Sequence, residues 1–183
     1  MSVTDSRVTF AELQEWPDDG LRYELYDGEV VVVPSPFPRH QRVVHHIGYI
    51  LNDYERGSGG MVFSSPIDIV FSEHNVVQPD LVFFRKERRH VIDMMAATRA
   101  APDLAVEVLS RSTEVRDRGR KMQLLARFKV PEYWIVDSVK NTLEIYLFNG
   151  PSYERVALCD EHDMVQSPTL PDLRFSAALA FQE

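Results

Sequence analysis

The chain has 183 residues, 44% hydrophobic and 26% charged, with a formal net charge of -8 at pH 7. That length supports one domain, 1–183, with a sizeable core. No run approaches the ~18 consecutive apolar residues that span a bilayer, and the single Cys159 excludes an internal disulfide or a cysteine-based zinc cage.

The start, Met1-Ser2-Val3-Thr4-Asp5-Ser6-Arg7, lacks the basic-then-apolar order of a secretory signal, so a cytoplasmic protein without a membrane partner is expected. Thr9-Phe10-Ala11-Glu12 is a capping-box pattern that opens a short helix, ended by Pro17-Asp18-Asp19-Gly20. Tyr23 to Val33 predicts a β-hairpin around Asp27-Gly28, a pair suited to the positive φ angles of a tight turn. Pro34, Pro36 and Pro38 then impose an extended linker.

From His40 to about Tyr54 the apolar residues fall at helical spacing, and Ser58-Gly59-Gly60 closes the helix. Strand-like runs follow over Met61 to Phe71 (broken near Pro66), Val76 to Phe84, Leu104 to Leu109, and Tyr133 to Val136. A helix from about Ser112 to Phe128 separates the last two, with Ser112 or Thr113 as cap and Glu114 and Asp117 at its positive end. Thr142 to Phe148 and Tyr153 to Leu158 form a further hairpin around Asn149-Gly150, and the last fifteen or so residues carry the weakest pattern. This order implies a mixed sheet flanked by helices, in the α/β or α+β class.

Chemistry concentrates between Gln78 and Asp137. Asp80 follows Pro79 at the head of an apolar run, and Glu107 is embedded in the apolar strand Leu104 to Leu109. A charge inside an apolar strand is costly unless something pairs with it, which marks Glu107 as a site residue. If the two strands are neighbours, both carboxylates converge on one cation. Mg²⁺ suits such a pair, since it usually takes one or two carboxylates with waters and a substrate phosphate. Lys121, on the following helix, would then orient or deprotonate the attacking water or stabilise developing negative charge.

Pro79-Asp80, Glu107-Val108-Leu109-Ser110, Asp117 with Lys121, and Tyr133-Trp134-Ile135-Val136-Asp137 together resemble the Uma endonuclease family of the restriction-endonuclease-like, PD-(D/E)XK superfamily. Tyr23 to Glu29 and the proline-rich approach to His40 match the family's N-terminal half. The resemblance spans roughly Phe10 to Tyr153. It implies a central mixed sheet flanked by helices, with N-terminal and C-terminal hairpins added, and Mg²⁺ (or Mn²⁺) held by Asp80 and Glu107. It also implies a catalytic lysine, DNA as substrate, and a homodimer. Leu109 stands two residues after Glu107, where the simplest pattern has lysine, so Lys121 is the implied substitute. Glu24 resembles the superfamily's additional acid, which reaches the metal through water.

Each residue also has a structural reading. Glu107 could pair with an arginine such as Arg120, Lys121 with Asp117 at i,i+4, and Glu24 across its hairpin. His40 points inward on its helix, as a core histidine or a site residue. Asp68 and Gln78 are lesser candidates, and no metal spacing recruits His45 or His46. Tyr133 and Trp134 are expected in the core, with Asp137 capping their strand.

Two basic clusters, Arg85 to His90 and Arg111 to Lys121, offer either a locally positive cleft or solvated faces. The acidic balance argues against non-specific nucleic-acid binding by the whole surface. The functional expectation is a Mg²⁺-dependent DNA endonuclease, and its rival is a catalytically silent nuclease fold kept as a binding or regulatory module.

Overall fold

The structure, a computed structural model, describes residues 7–182, so most of the stretch read for a secretory signal lies outside the described residues. The Thr9 capping box opens α1 (Phe10–Gln14), its hydroxyl accepting from the Glu12 amide while the Glu12 carboxylate returns to Thr9. Asp27 and Gly28 adopt φ of 51° and 84° and join β1 (Arg22–Tyr26) to β2 (Glu29–Val33). α2 (Pro38–Ser58) begins and ends a few residues beyond its apolar stripe, with Gly59 left-handed at its C-terminus.

The remaining strands are β3 (Met61–Ser64), β4 (Ile69–Ser72), β5 (Asn75–Val77), β6 (Leu81–Phe84), β7 (Leu104–Val108), β8 (Glu132–Asp137), β9 (Thr142–Phe148), β10 (Tyr153–Cys159), β11 (Met164–Gln166) and β12 (Arg174–Ser176). Six of them make a central sheet in the order β10-β9-β8-β7-β6-β3. It is mixed, since β7 and β8 run parallel and the other neighbours antiparallel. The N-terminal hairpin enters a separate antiparallel sheet, β2-β1-β5-β4, whereas β9–β10 extends the central one.

Alternation along β6 to β8 feeds two cores, one on each face of the sheet. Val43, Ile47 and Leu51 of α2 cover one face with Leu81, Phe83, Val106, Val108, Trp134 and Val136. The other buries Val82, Phe84, Ala105, Tyr133 and Ile135 beneath Leu124 and Leu125. Both faces of β7 and β8 are covered, which explains why these strands are apolar without a break.

Two expectations need correction. Val76 to Phe84 is two strands in different sheets, because Pro79 lacks an amide donor and restricts Gln78, so the ladder breaks at Gln78-Pro79-Asp80. The helix read from Ser112 to Phe128 comprises α3 (Glu114–Arg116), a π-helical turn (Asp117–Lys121) and α4 (Met122–Arg127). Thr113 stands before it, but its hydroxyl meets the Ser110 amide at 3.3 Å and does not cap the helix. The last fifteen residues hold β12 and α5 (Ala178–Phe181).

Candidate active site at the end of the central sheet

The break at Pro79 delivers Asp80 to the head of β6. Leu81 pairs with Val106 in the antiparallel β6–β7 ladder, so the next pair outward is Asp80 and Glu107. Asp80 Oδ2 accepts the Val108 amide at 2.8 Å, and Oδ1 lies 3.2 Å from His40 Nε2. The strands are therefore neighbours and bring the two acids together.

Lys121 reaches the same place from the π turn. Its ammonium is 1% exposed, 2.6 Å from Glu107 Oε1 and 2.8 Å from Glu24 Oε1, with Asp117 Oδ1 at 3.9 Å. A π turn holds one extra residue per turn and is frequent at functional sites. Here it carries Asp117 and Lys121, both buried, on the side facing the sheet.

Glu24 arrives from β1, fully buried. Its Oε1 accepts the Gln78 amide at 2.8 Å, its Oε2 accepts the Tyr26 hydroxyl at 2.8 Å, and Arg116 Nε lies 3.6 Å away. It faces Val31 in the hairpin, so a cross-strand charge pair is not its role. Arg120, offered as a partner for Glu107, instead reaches the Tyr26 carbonyl and Glu29.

The electrostatics differ from one acid to the next. Burial raises the Glu107 carboxyl well above the usual range, with Asp117, Asp80 and Glu24 adding to the rise against the pull of Lys121. Burial also raises Asp117. At Glu24 burial is outweighed by Lys121 and Arg116, and the carboxyl falls. Burial opposes the charge on Lys121 too, but Glu107 and Glu24 outweigh it and hold the group as an ammonium.

A cavity of about 20 Å³ opens among Asp80, Glu107, Lys121, His40, Gln78 and Arg116. That volume takes about one water molecule. Asp117 Oδ2, Gln78 Oε1 and His40 Nδ1 are buried without a hydrogen-bond partner. Among the described residues no cluster of three or more His, Cys, Asp or Glu forms a ready cation cage. Two carboxylates beside a water-sized space, with polar atoms left over, are a donor set that would suit Mg²⁺ if waters and a phosphate supplied the remaining ligands.

Other candidates lie apart. Asp68 accepts from Gln78 Nε2 at 2.8 Å and so steadies the strand break. His45 is exposed and His46 half-buried on α2. Tyr133 and Trp134 are core, and Asp137 caps the end of β8 by accepting the Val139 and Lys140 amides. In the first basic cluster, Arg85 and Arg88 both pair with the buried Asp103. Arg116 and the Tyr26 hydroxyl are site components that sequence reasoning missed, although Arg116 lies within the second basic cluster and Tyr26 two residues after Glu24, on the same strand face.

A mixed sheet flanked by helices, with an acid at the head of one strand and a second inside its neighbour, is the restriction-endonuclease-like nuclease fold. The chain belongs to the Uma2 family, described as "Putative restriction endonuclease", which it matches over residues 10–180. No curated protein matches it. Among solved structures it is similar to "a putative nuclease belonging to DUF820 from Anabaena variabilis ATCC 29413", with a TM-score of 0.77 and 18% identity over 95% of this chain and 97% of that one. No helix is long and apolar enough to cross a membrane among the described residues.

Proposed function

We propose that this protein is a Mg²⁺-dependent endonuclease that hydrolyses DNA phosphodiester bonds, with Asp80 and Glu107 as metal ligands and Lys121 and Glu24 completing the site. One observation carries the proposal: Asp80 and Glu107 meet across adjacent strands at a water-sized cavity, with the Lys121 ammonium 2.6 Å from Glu107. A bound Mg²⁺ would acidify a coordinated water and offset negative charge on the phosphoryl oxygens, and Mn²⁺ serves the same chemistry.

The chain's own residues have separable tasks. The Val108 amide and His40 fix both oxygens of Asp80, so its orientation is set before substrate arrives. Lys121, its ammonium 2.6 Å from Glu107 and 2.8 Å from Glu24, acts as a donor that orients water and stabilises charge in the transition state. Glu24 anchors that ammonium from the far side and is itself held by Tyr26 and Gln78. Assembly as a homodimer, one site for each strand of a duplex, belongs to the same reading.

The test is cleavage of a supercoiled plasmid with Mg²⁺ or Mn²⁺, beside calorimetric metal titration, for wild type, Asp80→Asn and Glu107→Gln. The expected result is cleavage by wild type, a loss of at least ~10²-fold in each variant, and loss of metal binding in both. Variants that cleave like wild type would refute the assignment.

The second reading is a nuclease fold that binds without cutting, and the Lys121–Glu107 contact favours it, because the ammonium already sits on an oxygen that a metal would need. DNA binding by a wild type that cleaves nothing with either metal would select it. Sedimentation at several protein concentrations tests the dimer.

A further inference from the structure

Lys121 is buried among three carboxylates, and two of them hold it. An ammonium carries three N–H donors. Glu107 Oε1 at 2.6 Å and Glu24 Oε1 at 2.8 Å take two of them. Asp117 Oδ1 stands at 3.9 Å, about 1 Å beyond hydrogen-bond length.

Asp117 is 1% exposed, yet it is poorly satisfied. Its Oδ2 is buried without a hydrogen-bond partner among the described residues, and Arg116 Nε approaches its Oδ1 no closer than 3.5 Å. Glu24, by contrast, also accepts the Tyr26 hydroxyl and the Gln78 amide, each at 2.8 Å. A buried acceptor left unpaired carries its full desolvation cost. The π turn nevertheless keeps Asp117 and Lys121 together on its buried side.

The site also contains a conflict. A divalent cation held by Asp80 and Glu107 needs the carboxylate on which the ammonium already rests. Two cations on one carboxylate repel each other, strongly where little water screens them. An ammonium driven off Glu107 without a new acceptor would be a buried charge short of a partner, which is strongly destabilising.

We infer that Asp117 is the waiting acceptor: when Glu107 takes the cation, the Lys121 ammonium pivots about Glu24 from Glu107 to Asp117. The inference rests on the proposal that Asp80 and Glu107 bind a divalent metal. Asp117 is thereby a positioning residue that acts through Lys121. The pivot needs a shift of about 1 Å at the end of a flexible stem. It gives the unpaired carboxylate a donor and leaves one N–H of Lys121 for a water. A lysine can then rest on a metal ligand without blocking it.

The experiment is calorimetric titration of the full chain with Mg²⁺ and with Mn²⁺, without nucleic acid, in two backgrounds. One keeps Lys121. The other, Glu24→Gln with Lys121→Met, removes the ammonium together with the charge it would strand. Asp117→Ala weakens metal binding about 10- to 150-fold more where Lys121 is present, the range for one charged hydrogen bond. Asp117→Asn, which keeps an acceptor oxygen, recovers part of that loss. A direct pull of the Asp117 charge on the metal, or a purely structural role, lowers affinity equally in both backgrounds. Thermal melting confirms that each variant folds.

Equal losses in the two backgrounds overturn the hand-over. So does a wild type that binds neither metal while the variant without Lys121 binds both, since the ammonium then never leaves Glu107. No binding in either background refutes the metal site and the hand-over with it. The two proposals otherwise fail separately. Plasmid cleavage by wild type with equal losses refutes the hand-over alone. A Lys121-dependent loss without any cleavage supports the hand-over and refutes the nuclease.

Discussion

Replacing Lys121 with methionine tests the centre of the site without any assumption about substrate. Methionine keeps an unbranched stem but removes the ammonium that stands 2.8 Å from Glu24 and 2.6 Å from Glu107. Glu24, fully buried, is left with the Tyr26 hydroxyl, the Gln78 amide and Arg116 at 3.6 Å. Removing one partner of a buried ion pair costs ~3–5 kcal/mol, and Arg116 places this case near the lower end. For a chain of this length each kcal/mol moves Tm by about 2–4 °C, so a fall of roughly 6–12 °C is expected.

The cost also carries a pH signature. In wild type the Glu24 carboxyl is held low, so its contribution is full above the unfolded value of about 4.3 and lost on acidification. Without Lys121, burial dominates and raises the carboxyl, so that contribution is lost as pH rises. The difference between wild type and Lys121→Met is therefore smallest near pH 4 and largest near pH 8. Urea unfolding at pH 4, 6 and 8 measures it, and a cost below ~1 kcal/mol at pH 8, or one flat with pH, refutes the reasoning. Glu24→Gln combined with Lys121→Met removes the stranded charge and recovers much of the loss.

Burial raises the Glu144 carboxyl, but hydrogen bonds from Arg118, Tyr146 and Arg155 outweigh it and lower the pKa to about 2. Its stabilisation is present above about 4.3 and lost as pH falls toward 2, so Glu144→Gln melts below wild type at pH 7 and approaches it at pH 2.5 by calorimetry. Glu132→Leu strands the donors of Trp134, Ser167 and Thr169, which tie the segment before β12 to β8. It should cost at least ~2 kcal/mol in urea unfolding and speed proteolysis between β11 and β12. Gly60→Ala places a Cβ 2.3 Å from Phe83 Cζ and 2.7 Å from the Phe84 carbonyl, and is expected to lower stability by ~1–3 kcal/mol. Gly57→Ala, with nothing within 4 Å inside α2, raises stability by up to ~1 kcal/mol, and paired thermal melts compare the two.

Local chemistry made much of this protein legible from sequence. The Asp27-Gly28 turn, the Thr9 capping box, the Gly59 stop and the apolar stripe of α2 follow from φ preferences, hydrogen-bond geometry and helical spacing, which act within a few residues. Glu107 stood out for the same kind of reason, since an acid inside an apolar strand requires a partner wherever the strand lies, and Asp80 as the acid after Pro79 at the head of an apolar run.

What lay beyond sequence depends on contacts between distant segments. That Pro79 divides one apolar run between two sheets is decided by β1 pairing with β5 while β7 pairs with β6, and nothing in residues 76–84 encodes those neighbours. That Lys121 sits between Glu24 and Glu107 depends on a π turn stabilised through packing and ion pairing, not through helix propensity. His40 could be read from its helix as pointing inward, but its meeting with Asp80 needed α2 docked on the sheet. Sequence specified which groups must be buried and in what local shape; only the tertiary structure chose their partners, because a buried charge demands compensation without naming the residue that supplies it.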